Sequence, residues 1–283
     1  MRKIDKPTLT AAVVFPVCIS TVGNAAFRGR LTACQTLVND AENEFDIKIT
    51  KGLIHTIIPE ALVNGNVTNI ELKKLYTGQM VAKPQGRVYY DQLLMSAPQG
   101  LCPLCSHGEA TTLDHYLPKA KYPRLSIVPV NLVPACKDCN TGKLTDSPTG
   151  PTDETLHPYY DDIENVKWLS ADVNKTQPIS LTFRVSAHAT WDPLLSARVV
   201  SHLDCFNLNI LYASQAGRRL SGMKFNLENI FSSPEGTVGV KKYLTAEAVS
   251  YEHVNLNSWE SSMYRALSED DWFCSGGFRF IAS

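Results

Sequence analysis

Residues 101–143 read LCPLCSHGEATTLDHYLPKAKYPRLSIVPVNLVPACKDCNTGK, and the fold turns on this stretch. Two Cys-x-x-Cys pairs, Cys102/Cys105 and Cys136/Cys139, bracket Asp114–His115 and Asn131, and Asn140 follows the last cysteine directly. Each pair can grip one ion from one turn, and two such knuckles supply the four thiolates of a closed tetrahedral zinc site. Ordinary buried cysteines do not repeat this spacing. A redox Cys-x-x-Cys is equally poor, because there are two pairs and neither sits in a βαβ pattern. A four-thiolate site has no open position, so the expected zinc is structural and not catalytic.

Between the knuckles, Thr111-Thr112-Leu113 leads into Asp114-His115 and then Leu117-Pro118. This reads as a short strand ending at a turn, with His115 at the rim. Asn131 opens a second apolar run, Leu132 to Ala135, and Asn140 to Lys143 starts a helix. Two strands and a helix of this size cannot hold themselves together, and metal binding in such units is largely folding free energy.

The pieces Cys102-Pro103-Leu104-Cys105, Leu113-Asp114-His115, Asn131-Leu132-Val133-Pro134 and Cys136-Lys137-Asp138-Cys139-Asn140 with Lys143 resemble the zinc-stapled HNH, or ββα-metal, nucleases. The resemblance implies an α+β fold, a zinc-stapled ββα-metal HNH core embedded in a mainly α-helical chain. It implies His115 as the general base, Asp114 and Asn140 as holders of one divalent cation, usually Mg²⁺, and Asn131 as the residue that orients the imidazole. The last motif position is often histidine. Asparagine there favours a hard, oxygen-loving ion over zinc or nickel.

The residue types suit phosphodiester hydrolysis in their own right. The reaction needs a proton acceptor with a pKa near neutral, which histidine supplies. It also needs charge neutralisation at the phosphate, which a carboxylate-held Mg²⁺ supplies. A partner on the other ring nitrogen must fix the tautomer of His115, and Asn131 can be that partner. Lys143 and Lys119 are the expected substrate contacts; Lys119, like Lys121, Arg124 and Lys137, equally suits a solvated face. The alternative is a non-catalytic zinc-ribbon module that docks DNA, RNA or protein. A His115 ring walled off from solvent would count against the catalytic reading and leave that alternative.

A finer likeness lies in Tyr90-Asp91 before the first knuckle, LDHYLPK, NLVPAC-x-x-CN and His157-Pro158-Tyr159-Tyr160-Asp161-Asp162. Together these resemble bacterial HNH proteins encoded beside ABC- or OLD-type ATPases, some of them in antiphage defence modules of the Septu or retron-linked kind. This implies an ATPase partner bound by the helical flanks and cutting restrained until infection. Residues 157–162 could bring His157 or Asp161 near the phosphate; the favoured reading is a rigid turn packing Tyr159 or Tyr160 onto the ββα unit.

The 283 residues, 44% of them hydrophobic, suit one large or two modest domains. The expected division is an N-terminal helical region at 1–98, the nuclease core at 99–165, and a mainly helical, partner-binding region at 166–283. A net charge of −1 announces no global basic field for nucleic acid, which agrees with borrowed substrate affinity. No Walker-type glycine loop occurs, so no ATPase is evident in the chain itself. Cys18, Cys34, Cys205 and Cys274 read as small buried apolar residues. Reduced thiolates argue for a cytoplasmic setting. The apolar run Ala11–Ile19 is short and interrupted by Pro16, too little for a membrane span or a convincing signal peptide.

Along the rest of the chain, residues 1–25 read as an irregular entry. Phe27, Leu31, Cys34, Leu37 and Val38 predict an amphipathic helix over 26–45. Lys51–Leu62 predicts a short helix ending near Asn64-Gly65-Asn66. Thr68 and Glu71 form a capping-box pattern, and Arg87–Ser96 predicts a helix. Asp146–Asp153 reads as a turn-rich loop, and Ile179–Val185 as a half-buried strand. Helices are expected from Asp192-Pro193 through Leu211, over 237–250 and over 257–268. The aromatic tail, Trp272 to Phe280, reads as docked on the core or on a partner.

Overall fold

The computed structural model describes residues 1–64, 66–143 and 147–282. The chain forms two compact units, Met1–Asp162 and Ile163–Ser283, and its class is α+β, helices with small antiparallel two-stranded sheets.

The first unit begins with α1 (Ala11–Ser20), α2 (Ala25–Thr32) and α3 (Gln35–Ile49). The entry is therefore not irregular up to residue 25. Pro16 lies inside α1, where it removes one ladder hydrogen bond. Two things offset that cost. Val14, Phe15 and Cys18 are fully buried, and the buried carboxylate of Glu42 in α3 accepts the Ala11 N–H at 2.9 Å, satisfying an open donor at the positive end of the helix. The helix expected over 26–45 is broken between Thr32 and Gln35, although Leu31, Cys34 and Val38 do face the core.

Lys51–Leu62 is not a helix. It holds a single 3₁₀ turn, Ile54–Thr56, and then β1 (Leu62–Val63), which pairs with β2 (Val67–Thr68). Gly52 takes a left-handed φ of 65°, and Pro59 disfavours helical backbone at Ile58. Gly65, in the expected turn, lies outside the described residues. The capping box forms: Glu71 donates its N–H to Thr68 Oγ1 at 3.3 Å, and the Thr68 N–H reaches Glu71 Oε2 at 2.8 Å. It opens α4 (Asn69–Leu75), which runs into a π-helical segment, Tyr76–Val81, and then α5 (Pro84–Leu94) with proline at its first position.

The central stretch forms β3 (Thr112–His115), β4 (Leu132–Ala135) and α6 (Lys137–Lys143). The strands are antiparallel, with Thr112 opposite Ala135 and His115 opposite Leu132. One hydrophobic core runs from Ala11 in α1 to Leu132 in β4, taking in Tyr76, Tyr90, Leu113 and Tyr116. The hairpin and the N-terminal helices therefore share their apolar interior. Of the turn-rich stretch, Pro151–Asp153 is a 3₁₀ turn, and Asp146 lies outside the described residues.

The second unit opens with β5 (Leu169–Asn174), paired antiparallel with β6 (Ser180–Val185). In β6 the expected alternation buries Leu181 and Phe183. In β5 the burial pattern is ragged, and no alternation announces it. Then follow α7 (Pro193–Cys205), α8 (Leu208–Ser232), α9 (Gly236–Val254), α10 (Trp259–Glu269) and α11 (Asp271–Cys274). Asp192 caps α7 and Ser258 caps α10. Asn257 accepts the N–H groups of Trp168 and Leu169 at 2.8 and 3.2 Å, tying β5 to the start of α10. Phe273 and Phe278 of the tail are buried, while Trp272 stacks on Phe280 near the surface. Among the described residues no helix is long and apolar enough to cross a membrane.

Candidate metal centre

Cys102, Cys105, Cys136 and Cys139 are buried, and their sulfurs all lie within 4.8 Å of one another. Four sulfurs about 2.3 Å from a zinc ion would stand about 3.8 Å apart along each edge of a tetrahedron. The Cys105 and Cys136 sulfurs are 3.9 Å apart. Backbone donors support the charge: the N–H of Gly108 points to Cys105 Sγ and that of Cys139 to Cys136 Sγ, both at 3.4 Å. Ser106, with a φ of 55°, tightens the first knuckle. A side chain at Gly108 would meet the Cys136 Cβ at 2.9 Å, so the two knuckles close on each other only with glycine there. The four thiols can hold a zinc ion as thiolates. Of the remaining cysteines, Cys18, Cys34 and Cys274 are buried as expected, while Cys205 is only half-buried. Burial pushes Cys18 up to about 12 and Cys274 up to about 11, keeping both as thiols.

Beside this centre, the period of two along β3 sends Thr112 and Asp114 toward α6. Helical spacing on α6 presents Asn140 and Lys143 to that same face. Asn140 Nδ2 donates to Thr112 Oγ1 at 3.0 Å. The Lys143 ammonium lies 3.4 Å from Asp114 Oδ2 and 3.2 Å from the His115 carbonyl, and it also donates to the Tyr116 carbonyl. Lys143 is itself buried and sits over the Tyr116 ring at 4.7 Å. Burial pushes the Asp114 carboxyl above the ordinary range, and the Lys143 ammonium opposes that rise.

His115 is 5% exposed. Its Nε2 lies 2.8 Å from the Ser126 carbonyl. A carbonyl only accepts, so Nε2 carries the proton and Nδ1 keeps its lone pair. That lone pair faces the Lys119 ammonium at 3.4 Å. Tyr76 of the π-helical segment packs edge-on against the ring at 4.6 Å, with Lys119 over the Tyr76 face. The rim position expected for His115 is thus covered. Asn131 is not the partner of the ring. Its amide accepts the Leu117 N–H at 2.7 Å and donates to the carbonyls of Leu117 and Leu125 at 3.0 and 3.1 Å. It clamps the loop that carries Ser126, because a fully buried amide takes the nearest open backbone groups.

Burial, then the Lys119 charge, holds the His115 ring at about 3, against the Ser126 bond that favours the proton. An unfolded chain takes up that proton near the ordinary value of about 6.5. The stability tied to a neutral ring is therefore present above that value and lost as pH falls from about 6.5 toward 3. The melting temperature should drop across this window, and less steeply in His115→Gln than in wild type.

Residues 157–162 form the expected rigid turn. His157 is fully buried, with its Nε2 3.2 Å from the Val130 carbonyl. Asp161 accepts the His157 N–H at 2.7 Å, and the Tyr159 hydroxyl donates to the Leu132 carbonyl at 2.8 Å. Tyr76, Ser126 and Thr112 are the site residues that sequence reasoning missed. Thr112 alone had a signal, two residues before Asp114 on one strand face.

No protein-family model matches the chain and no solved structure matches it. Along its length it is similar to Protein ea31 of Escherichia phage lambda, with 28% identity over 302 aligned positions that cover 98% of this chain and 100% of that protein.

Proposed function

We propose that the chain is a metal-dependent HNH-type endonuclease, hydrolysing phosphodiester bonds in DNA or RNA, with its site closed in the free protein. The observation that carries this reading is the His115 tautomer. With Nε2–H pinned on the Ser126 carbonyl, Nδ1 is the nitrogen able to take a proton from water. Burial and Lys119 are what depress the ring's basicity. A phosphate that draws Lys119 aside and admits water returns it toward the neutral range that general-base work needs.

The donor set beside it is oxygen-based. Asp114 offers a carboxylate, and Asn140 offers the amide oxygen left over when its Nδ2 bonds Thr112. Such ligands suit Mg²⁺. When bound, that ion would neutralise charge at the phosphate. Lys143 shares the Asp114 carboxylate and would turn toward a phosphate oxygen as the cation enters. The test is cleavage of plasmid and tRNA with Mg²⁺ by wild type and by His115→Ala.

The second reading, a zinc-folded binding module without chemistry, is favoured by one observation: the His115 ring is closed off and an ammonium already stands at Asp114. Equal cutting by wild type and mutant, or none by either with any partner present, would select it.

We extend the nuclease reading to the effector of an antiphage defence system working with an ABC- or OLD-type ATPase. Its support is the resemblance carried by Tyr90-Asp91, LDHYLPK, NLVPAC-x-x-CN and residues 157–162. Pull-down from the native host should recover an ATPase. Recovery of the chain alone, in repeated pull-downs during infection, would remove this extension and leave the nuclease reading standing.

A further inference from the structure

The second unit carries a cleft that the nuclease reading does not use. It lies among α8, α9 and α10 and has a volume of about 560 Å³, within the usual range of small-molecule sites, about 300–1,000 Å³. One side is a stripe of α8 running from Gln215 through Arg218, Arg219 and Gly222 to Asn226. Steps of three and four put these residues on one helix face. The face of α8 that packs inward is apolar, with Leu220, Met223 and Leu227 buried; Arg218, Arg219 and Asn226 stand exposed beside it, and Met223 forms the floor they share with the cleft.

The opposite side is aromatic, with Tyr243 from α9 and Trp259 and Tyr264 from α10. The wall is braced from behind. Tyr264 stacks on Tyr251 at 5.5 Å and 15°, and Arg219 Nη2 donates to the Tyr251 hydroxyl at 2.5 Å. Arg218 has no hydrogen bond or ion pair among the described residues. Glu247 and Glu260 act on Tyr251 electrostatically, but neither lines the cleft. A side chain added at Gly222 would meet no atom within 4 Å, so the space in front of the stripe is open. Glycine in the middle of a helix is destabilising relative to alanine, and packing does not demand it here.

A planar guanidinium matches phosphate oxygens two at a time, and flat aromatic faces bind bases of any identity. We propose that this cleft binds a nucleotide, with its phosphate on Arg218 beside Arg219 and its base against Tyr243, the half-buried ring of a wall whose other two rings, Trp259 and Tyr264, are buried behind it. The ligand is either a free nucleotide or the phosphorylated end of a single strand. The proposal stands apart from the nuclease reading, since nothing at His115 enters it.

The test is calorimetric titration of the full chain carrying His115→Ala, without added divalent cation. The ligands are AMP, ATP, inorganic phosphate, and ten-residue oligothymidylate with and without a 5′-phosphate. The expected result is saturable binding of a mononucleotide or of the 5′-phosphorylated strand. The first identifies a free ligand and the second a strand end. Arg218→Ala, on the surface, and Gly222→Phe, which fills the open space, should each weaken binding roughly tenfold or more, the scale of one lost stacking or phosphate contact. No binding at about 1 mM, the floor of specific recognition, overturns the proposal. So does equal binding of inorganic phosphate and nucleotide, or unchanged affinity in both folded variants.

Discussion

His115→Ala should lower Mg²⁺-dependent cleavage of plasmid or tRNA by about a hundredfold to ten-thousandfold, the usual contribution of a positioned general base. The loss should fall on the rate at saturating substrate more than on affinity. On the proposed reading the ring would take a proton in the transition state, whereas phosphate binding would rest on Lys119 and Lys143. The substitution also empties a space against Tyr76 and leaves the buried Ser126 carbonyl without its donor, which costs about 1–3 kcal/mol in stability. Circular dichroism and a melting curve on each variant separate that cost from lost chemistry. Asn140→Ala gives an independent arm. It would remove one of the two proposed oxygen ligands, at a half-buried position, so its activity should recover in part at raised Mg²⁺, and that of His115→Ala should not. Activity in His115→Ala equal to wild type would end the catalytic assignment.

Removal of zinc should have the larger structural effect. Stripping the ion with a strong chelator, or replacing Cys102 and Cys136 with serine, is expected to abolish one equivalent of bound zinc and to unfold the hairpin and α6. Apparent binding free energies of structural zinc in small units are about 10–16 kcal/mol, comparable to the whole stability of a domain at about 5–15 kcal/mol. Without the ion, four buried thiols converge with nothing between them, and α6 loses the clip that holds Asn140 and Lys143 against β3. Zinc analysis by plasma emission, with hydrogen exchange over 101–143, reads both effects. A folded and fully protected hairpin in the cysteine double variant would show that the four sulfurs carry no structural load.

What the sequence made legible was local. The two knuckles, the strand at Thr112–His115 and the Thr68 cap all follow from short spacings that need no knowledge of the rest of the chain; α6 was legible as a helix, but it begins at Lys137 and not at the expected Asn140. The surroundings of His115 were not legible. Its ring partner is a backbone carbonyl, which any residue could have supplied, and its cover is Tyr76, from an element far away in sequence. Helix α1 was hidden for the same kind of reason. Pro16 argues against a helix locally, and the buried Glu42 carboxylate that satisfies its first turn comes from α3. In β5 the side chains are half-buried without alternation, so no period of two announced it.

The common interior of α1–α5 and the hairpin bears on portability. Cut out of its unit, the stretch 101–143 would bare Leu113, Tyr116, Leu117, Ile127, Val128 and Leu132 to water, each buried in the intact protein. At about 1.5–3 kcal/mol for a large apolar side chain, that penalty rivals what the metal clip supplies. The knuckles are therefore no self-sufficient cassette. A graft or truncation that keeps the hairpin folded has to carry the whole stretch from Met1 to Asp162.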